Sequence, residues 1–250
     1  MLKKITIKII LLGILFIREE EISARLPKYE QPAFQKSLDS LYSPPQNPTK
    51  TTAAALIPPL KPNIKKIIVI DPGHGGKDLG THSKKVPRYQ EKLLTLSVSR
   101  ILRNYLSKLG YQVVMTRNSD LYVGLQERAE IANTQRCALF VSIHFNSAPN
   151  KQAEGVEVFY YNIPQSKERS IASKNLAETV LKRTLEMTEA HSRGVKHGNL
   201  AVIRQTQMPA ILVEGGFLTH EEEEKKIRSI IYQRKLAWGI AQGIHDYLNV

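Results

Sequence analysis

Three features of the sequence predict an α/β fold with a largely parallel sheet and helices on both faces. Short apolar runs rich in Val and Ile recur along residues 65–214, bounded by turn residues. Longer segments of helical period alternate with them, the order expected when parallel strands are joined by helical crossovers. Several runs also end in polar or glycine-rich turns, where open parallel sheets place their chemistry.

The elements follow in order. Lys65-Lys-Ile-Ile-Val-Ile70 reads as a buried strand running into Asp71-Pro-Gly. From Glu91 to Leu109, apolar residues at 93, 94, 96, 98, 101, 102, 105, 106 and 109 keep a helical period, and Gly110 stops it. Tyr111–Met115 is the next strand, Gly124–Asn133 a helix, and Ala138–Ile143 a strand leading to His144. Gly155–Tyr161 alternates as a strand, and a long helix covers 166–189. Leu200–Arg204 and Ala210–Glu214 read as two further strands, and a last helix spans 229–248.

The 250 residues suit one large domain with flanking sequence. Lys3, Lys4 and Lys8 precede the apolar core Ile9–Ile17, too short to span a bilayer, so residues 1–24 read as a signal peptide or an N-terminal membrane anchor. The acidic stretch Arg18–Glu21 before Ser23-Ala24 leaves both readings open, beside a buried N-terminal helix. Residues 25–63 hold eight of the 13 prolines and few apolar residues, the composition of a semi-extended linker. Residues 64–250 form the expected folded domain. The lone Cys137 lies in an apolar run, reads as a buried small hydrophobe, and excludes an internal disulfide.

The net charge is +13, with +6 in residues 1–66 and +7 in the remaining 184. This excess favours a polyanionic partner: a membrane surface, a carboxylate-bearing wall polymer or nucleic acid. No Lys/Arg stripe interleaves with aromatics, which disfavours nucleic acid, and the export-like N-terminus does so too.

Four residues on separated segments carry candidate chemistry: His74 in Asp71-Pro-Gly-His-Gly-Gly76, Glu91, His144 in Ser142-Ile-His-Phe-Asn146, and Glu214 in Val213-Glu-Gly-Gly-Phe217. Two His and a carboxylate suit a hydrolytic zinc site with an open fourth position, and a further Glu suits a general base. Each also has a bland reading. His74 fits a tight turn, His144 a satisfied core histidine, and Glu91 a charge at a helix N-terminus. Glu214 is the least bland, because a carboxylate ending a buried strand is costly unless paired or in a site. Whether the four converge depends on strand order, which the sequence does not fix.

The succession DPGHGG, EK with an apolar helix, LQERAEIAN, SIHFNS, GVEVFYY, RGVKHGNLAVIR and PAILVEGGFLT resembles the zinc-dependent N-acetylmuramoyl-L-alanine amidase family over about residues 65–249. The likeness is to the catalytic domains of bacterial cell-separation amidases. It implies a single domain with a mixed, mostly parallel six-stranded sheet. It implies His74, Glu91 and His144 as zinc ligands and Glu214 as the catalytic carboxylate. It further implies a peptidoglycan or muropeptide substrate, cleaved between N-acetylmuramic acid and L-Ala in wall remodelling or daughter-cell separation, and an exported protein of the periplasm or envelope. The catalytic domain is read as monomeric, with a membrane contact at its N-terminus if the leader is retained.

The chain departs from the family in places. Seventeen positions separate His74 from Glu91, with Lys84, Lys85, Arg88 and His82 among them. His82 reads as a solvated loop residue, and His220 receives no role. Arg128 and Asn133 read as structural, Arg128 pairing with a buried carboxylate or carbonyls. Some family members carry an autoinhibitory helix between the second His and the last strand. The 69 residues between His144 and Glu214 are taken up by a strand, a long helix and a further strand, so no such insertion is expected. Two rivals remain. One is another peptidoglycan peptidase activity, alone or added: the serine-type carboxypeptidase lacks its Ser-x-x-Lys here, while a zinc-based second cleavage stays open. The other, a catalytically silent wall-binding module, has no need of Glu214.

Overall fold

Strand β1 (Ile67–Pro72) forms where the β-branched run Ile67-Ile-Val-Ile70 is buried on both faces, leaving no polar side for water. The computed structural model of the protein describes residues 66–83 and 88–249. The leader or anchor (1–24), the linker (25–63), and Lys84 and Lys85 lie outside those residues. After β1 come α1 (Glu91–Lys108), β2 (Gln112–Met115), α2 (Leu125–Thr134), β3 (Leu139–Asn146), β4 (Val156–Tyr160) and α3 (Lys167–Thr188). They are followed by β5 (Ser192–His197), α4 (Ala201–Arg204), β6 (Ala210–Phe217), α5 (Glu221–Arg228) and α6 (Ile230–Leu248).

The six strands form one sheet in the order β2-β1-β3-β6-β4-β5. Strands β2, β1, β3 and β6 pair in parallel, β4 runs antiparallel to β6, and β5 is parallel to β4. The sheet is therefore mixed and mostly parallel. One face packs Ile68, Ile70, Val141, Ile143, Val158 and Val213 against α1, α3 and α6, as Leu102, Val180 and Ile240 show. The other packs Val69, Phe140, Ala210 and Leu212 against Ala132 of α2 and Val202 and Ile203 of α4. By strand alternation, His144 and Glu214 belong to this second face, beyond the two short helices that cover it.

One strand expectation is corrected. Leu200–Arg204 does not join the sheet: Ala201–Arg204 is one turn of helix, and Val202 and Ile203 are buried against the second face. The strand of that region is Ser192–His197, which pairs with β4 at the sheet edge. Helix α5 is an addition. His220 caps it by accepting from the Glu223 amide at 3.2 Å, and four glutamates in the first turn with Lys225, Lys226 and Arg228 in the last complement its dipole. Cys137 is buried, and burial pushes its thiol up to about 11.

Candidate metal centre

His74 sits just past β1 in a turn that the backbone alone would not favour. Its φ of 59° is left-handed, a conformation costing a non-glycine residue of order 1–2 kcal/mol. Two buried arginines hold the turn. Arg128 donates to the Pro72 and His74 carbonyls at 2.6 and 2.8 Å and pairs with the fully buried Asp71 at 2.7 Å. Arg117 donates to the Pro72 and Gly73 carbonyls at 3.0 and 2.7 Å. Asp71 is completed by Thr116 and Ser142 hydroxyls at 2.6 and 2.7 Å. Arg128 is thus paired as its sequence context suggests, and Asn133 is structural too, bonding the backbone of Gln205 and Gln207.

Glu91 opens α1 and is 3 % exposed. Its Oε2 accepts from the Thr81 amide at 2.9 Å, and its Oε1 accepts from the Phe145 amide at 3.1 Å. Oε1 also lies 3.1 Å from His74 Nε2 and 2.9 Å from His144 Nδ1. The other nitrogen of His74, Nδ1, faces Asp78 Oδ2 at 2.9 Å, which fixes the ring and turns Nε2 inward. Burial works against ionising Glu91, but the His144 and His74 hydrogen bonds outweigh it and hold the carboxyl well below its usual range. Burial likewise disfavours a charged His74, and Glu91 with Asp78 reverses this, raising its pKa.

The donor atoms of His74, Glu91 and His144 all lie within 4.8 Å of one another and could hold a metal ion. Their surroundings fit one. The three come from β1, α1 and β3, brought together because β1 and β3 are sheet neighbours. A Cβ on Gly73 would lie 2.2 Å from the His144 ring, and one on Gly80 would lie 2.6 Å from Glu91 Oε2, so glycine is required at both for the cluster to close. His82 is exposed and outside the cluster.

Glu214 is held on β6 directly opposite His144 of β3. The residue is half-buried, yet its Oε2 is sealed from solvent with no hydrogen-bond partner. Burial, and then the neighbouring Glu91 and Glu157 carboxylates, push its pKa well above the usual value. Across its other side, on β4, stands Glu157, which accepts from Asn146, Arg193 and Lys196. The reading from sequence missed Glu157, although a carboxylate inside the apolar alternation Val156–Tyr160 is the same signal that marked Glu214. It missed Asp78 and Arg117 as well, which nothing in their local sequence distinguishes.

The fold and cluster define an α/β domain with a candidate metal-binding centre on its open sheet face. The chain belongs to the N-acetylmuramoyl-L-alanine amidase family, whose sequence profile it matches over residues 68–246. It is 32% identical over 223 residues to the amidase AmiC of Neisseria meningitidis serogroup B, covering 74% of this chain and 53% of that protein. It is 31% identical over 222 residues to AmiC of Escherichia coli O6:H1, covering 72% and 52%. The chain thus spans about half the length of these curated relatives. Among solved structures it resembles the N-acetylmuramoyl-L-alanine amidase of Clostridium difficile 630, with a TM-score of 0.70 and 43% identity over 74% of this chain and 97% of that one. The catalytic domain of the amidase CwlV of Bacillus (Paenibacillus) polymyxa gives 0.68 and 35%, over 74% and 99%.

Proposed function

We propose that this protein is a zinc-dependent N-acetylmuramoyl-L-alanine amidase, hydrolysing the amide between N-acetylmuramic acid and L-Ala of peptidoglycan stem peptides in wall remodelling or cell separation. The observation that carries the reading is the unpartnered Glu214 oxygen facing His144 beside a His–Glu–His donor set. In it, His74, Glu91 and His144 hold the ion. Zinc, when bound, supplies Lewis acidity to the scissile carbonyl and the attacking water. Glu214 takes the proton of that water and delivers it to the departing L-Ala nitrogen. Its raised pKa makes it the stronger base for the first half of the transfer. Asp78 keeps His74 oriented, and the arginine-held turn keeps it in reach.

The domain acts outside the cytoplasm, delivered by residues 1–24 and, if that leader is retained, spaced from the membrane by residues 25–63, all outside the described residues. Between His144 and Glu214 the chain forms β4, α3, β5 and α4, and α3 packs against α6 on the face away from Glu214. We read the enzyme as active without displacement of an inhibitory helix. A rate increase above about tenfold, 1.4 kcal/mol, on adding an activator protein would overturn that.

The test is mass spectrometry of a defined muropeptide incubated with the purified protein, with and without a zinc chelator. Chelator-sensitive release of an intact stem peptide is expected. Loss of terminal D-Ala alone would make it a carboxypeptidase, and no cleavage by zinc-loaded protein would favour either a required activator or a wall-binding module.

A further inference from the structure

Edge strand β5 carries two cations that converge on one buried carboxylate. Arg193 Nε and Lys196 Nζ both reach Glu157 Oε2, at 2.9 and 2.5 Å, while Asn146 Nδ2 donates to Oε1 at 2.6 Å. The Glu157 side chain is 5% exposed, and those of Arg193 and Lys196 are 30% and 39% exposed. One buried anion therefore fixes two half-exposed cations and leaves one positive charge uncancelled. Arg193 is fixed a second time by the Phe217 ring, 4.8 Å from its guanidinium carbon, and its Nη1 only grazes the Glu154 carbonyl at 3.3 Å. No second carboxylate pairs with either cation among the described residues.

Their position gives the pair a use. His144, Glu214 and Glu157 stand opposite one another on β3, β6 and β4, and the Phe159–Lys196 pairing puts Lys196 on the same face. The row runs from the metal centre through Glu214 to the cations of β5. Two strand spacings separate β5 from β6, roughly 10 Å, or about three residues of extended peptide. A substrate whose scissile amide lies at Glu214 thus lays either its sugar or its peptide over β5. A neutral sugar gains nothing from a fixed surplus cation, whereas a peptide carboxylate does.

We propose that Arg193 and Lys196, anchored by Glu157, form a carboxylate-binding subsite that reads an anionic group of the stem peptide a few residues beyond the cleaved bond. The proposal rests on the amidase reading for its substrate. A guanidinium held from below by an aromatic ring and at Nε by a buried carboxylate presents its remaining N–H groups already oriented, and Lys196 adds rotatable donors. If the two cations served only to neutralise Glu157 and brace the edge strand, they would contribute equally whatever the peptide carries.

The experiment is calorimetric titration of zinc-loaded protein with a synthetic stem tripeptide and with the same peptide carrying its carboxyls as amides. Wild type should bind the carboxylate form at least about tenfold more tightly. Arg193→Met and Lys196→Met should each shrink that preference, and Arg193→Lys, which keeps the charge without the fork, should fall between. In turnover of the muramoyl tripeptide, KM should rise about tenfold with kcat changed less than about threefold. Equal binding of the two peptides to wild type, or equal losses for both in the variants, overturns the subsite. If the Met variants do not fold, an unchanged preference in Arg193→Lys does so. A carboxylate preference in wild-type protein that cleaves nothing would leave the subsite standing and remove the amidase reading.

Discussion

Glu157 and Glu214 face each other across the antiparallel β4–β6 ladder, and only one of them is satisfied. Three donors saturate Glu157, whereas the buried Oε2 of Glu214 has none. A group kept in that condition costs stability, and such costs persist where chemistry needs the group. Glu214→Ala should therefore keep its zinc and its melting temperature, or raise the latter, while turnover drops by about 10²–10⁴. Metal analysis and kcat on the same sample check this, and loss of zinc along with activity would make Glu214 a ligand.

Arg128 bridges Asp71 to the carbonyls that shape the His74 turn. Replacing it with Met leaves Asp71 charged, buried and short of its cation, which costs about 3–5 kcal/mol. Urea unfolding of Arg128→Met measures the loss. Asp71→Asn in the same background should recover part of it, because it removes the uncompensated charge.

Gly80 has a φ of +65°, and a Cβ there would lie 2.6 Å from Glu91 Oε2 and 2.7 Å from His74 Cδ2. Gly80→Ala should cost about 1–2 kcal/mol in backbone strain and weaken zinc binding far more than its effect on the fold suggests. Competition with a chromogenic chelator, read beside the far-UV spectrum, separates the two effects. Unaltered zinc affinity would show that the loop yields to the methyl group.

The metal-free protein should lose stability on both sides of a window set by the donor cluster. Glu91 has a folded pKa below its ordinary 4.5, so the unfolded chain takes up the proton first, and stability falls as pH drops below about that value. His74 has a folded pKa above its ordinary 6.5, so its contribution is full below 6.5 and is lost as pH rises through the folded value. Urea midpoints of chelated protein across pH 3–9 should trace both limbs, and Glu91→Gln should flatten them. A pH-independent midpoint would sink the argument.

Most of the architecture was legible because the buried strands announce themselves. Ile67–Ile70, Leu139–Val141 and Ala210–Val213 are apolar on both faces and rich in β-branched or aromatic residues. Strand β5 was not, since Ser192-Arg-Gly-Val-Lys-His197 lies at the edge, paired only with β4, with Val195 its one residue packed against the core. Leu200–Arg204 misled for the opposite reason, as the four-residue apolar run Leu200–Ile203 suits a strand or one buried helical turn equally. Helix α5 has one apolar residue packed into the core, Ile227, so periodicity missed it, though its charges and His220 marked its start. The four candidate residues were legible as chemistry. Their meeting was not, because it depends on β3 lying between β1 and β6, an order no local pattern records.

The order of these residues along the chain has a consequence for how the centre is completed. All three donors lie between positions 74 and 144, on β1, α1 and β3, while Glu214 arrives only with β6. During N-to-C synthesis the candidate ion-holding set is present before the residue that, on the proposed reading, would use the ion. A polypeptide cut after β3 keeps every donor and lacks Glu214, so on the reading proposed above an unfinished or prematurely cleaved copy holds the ion without the group that would act through it.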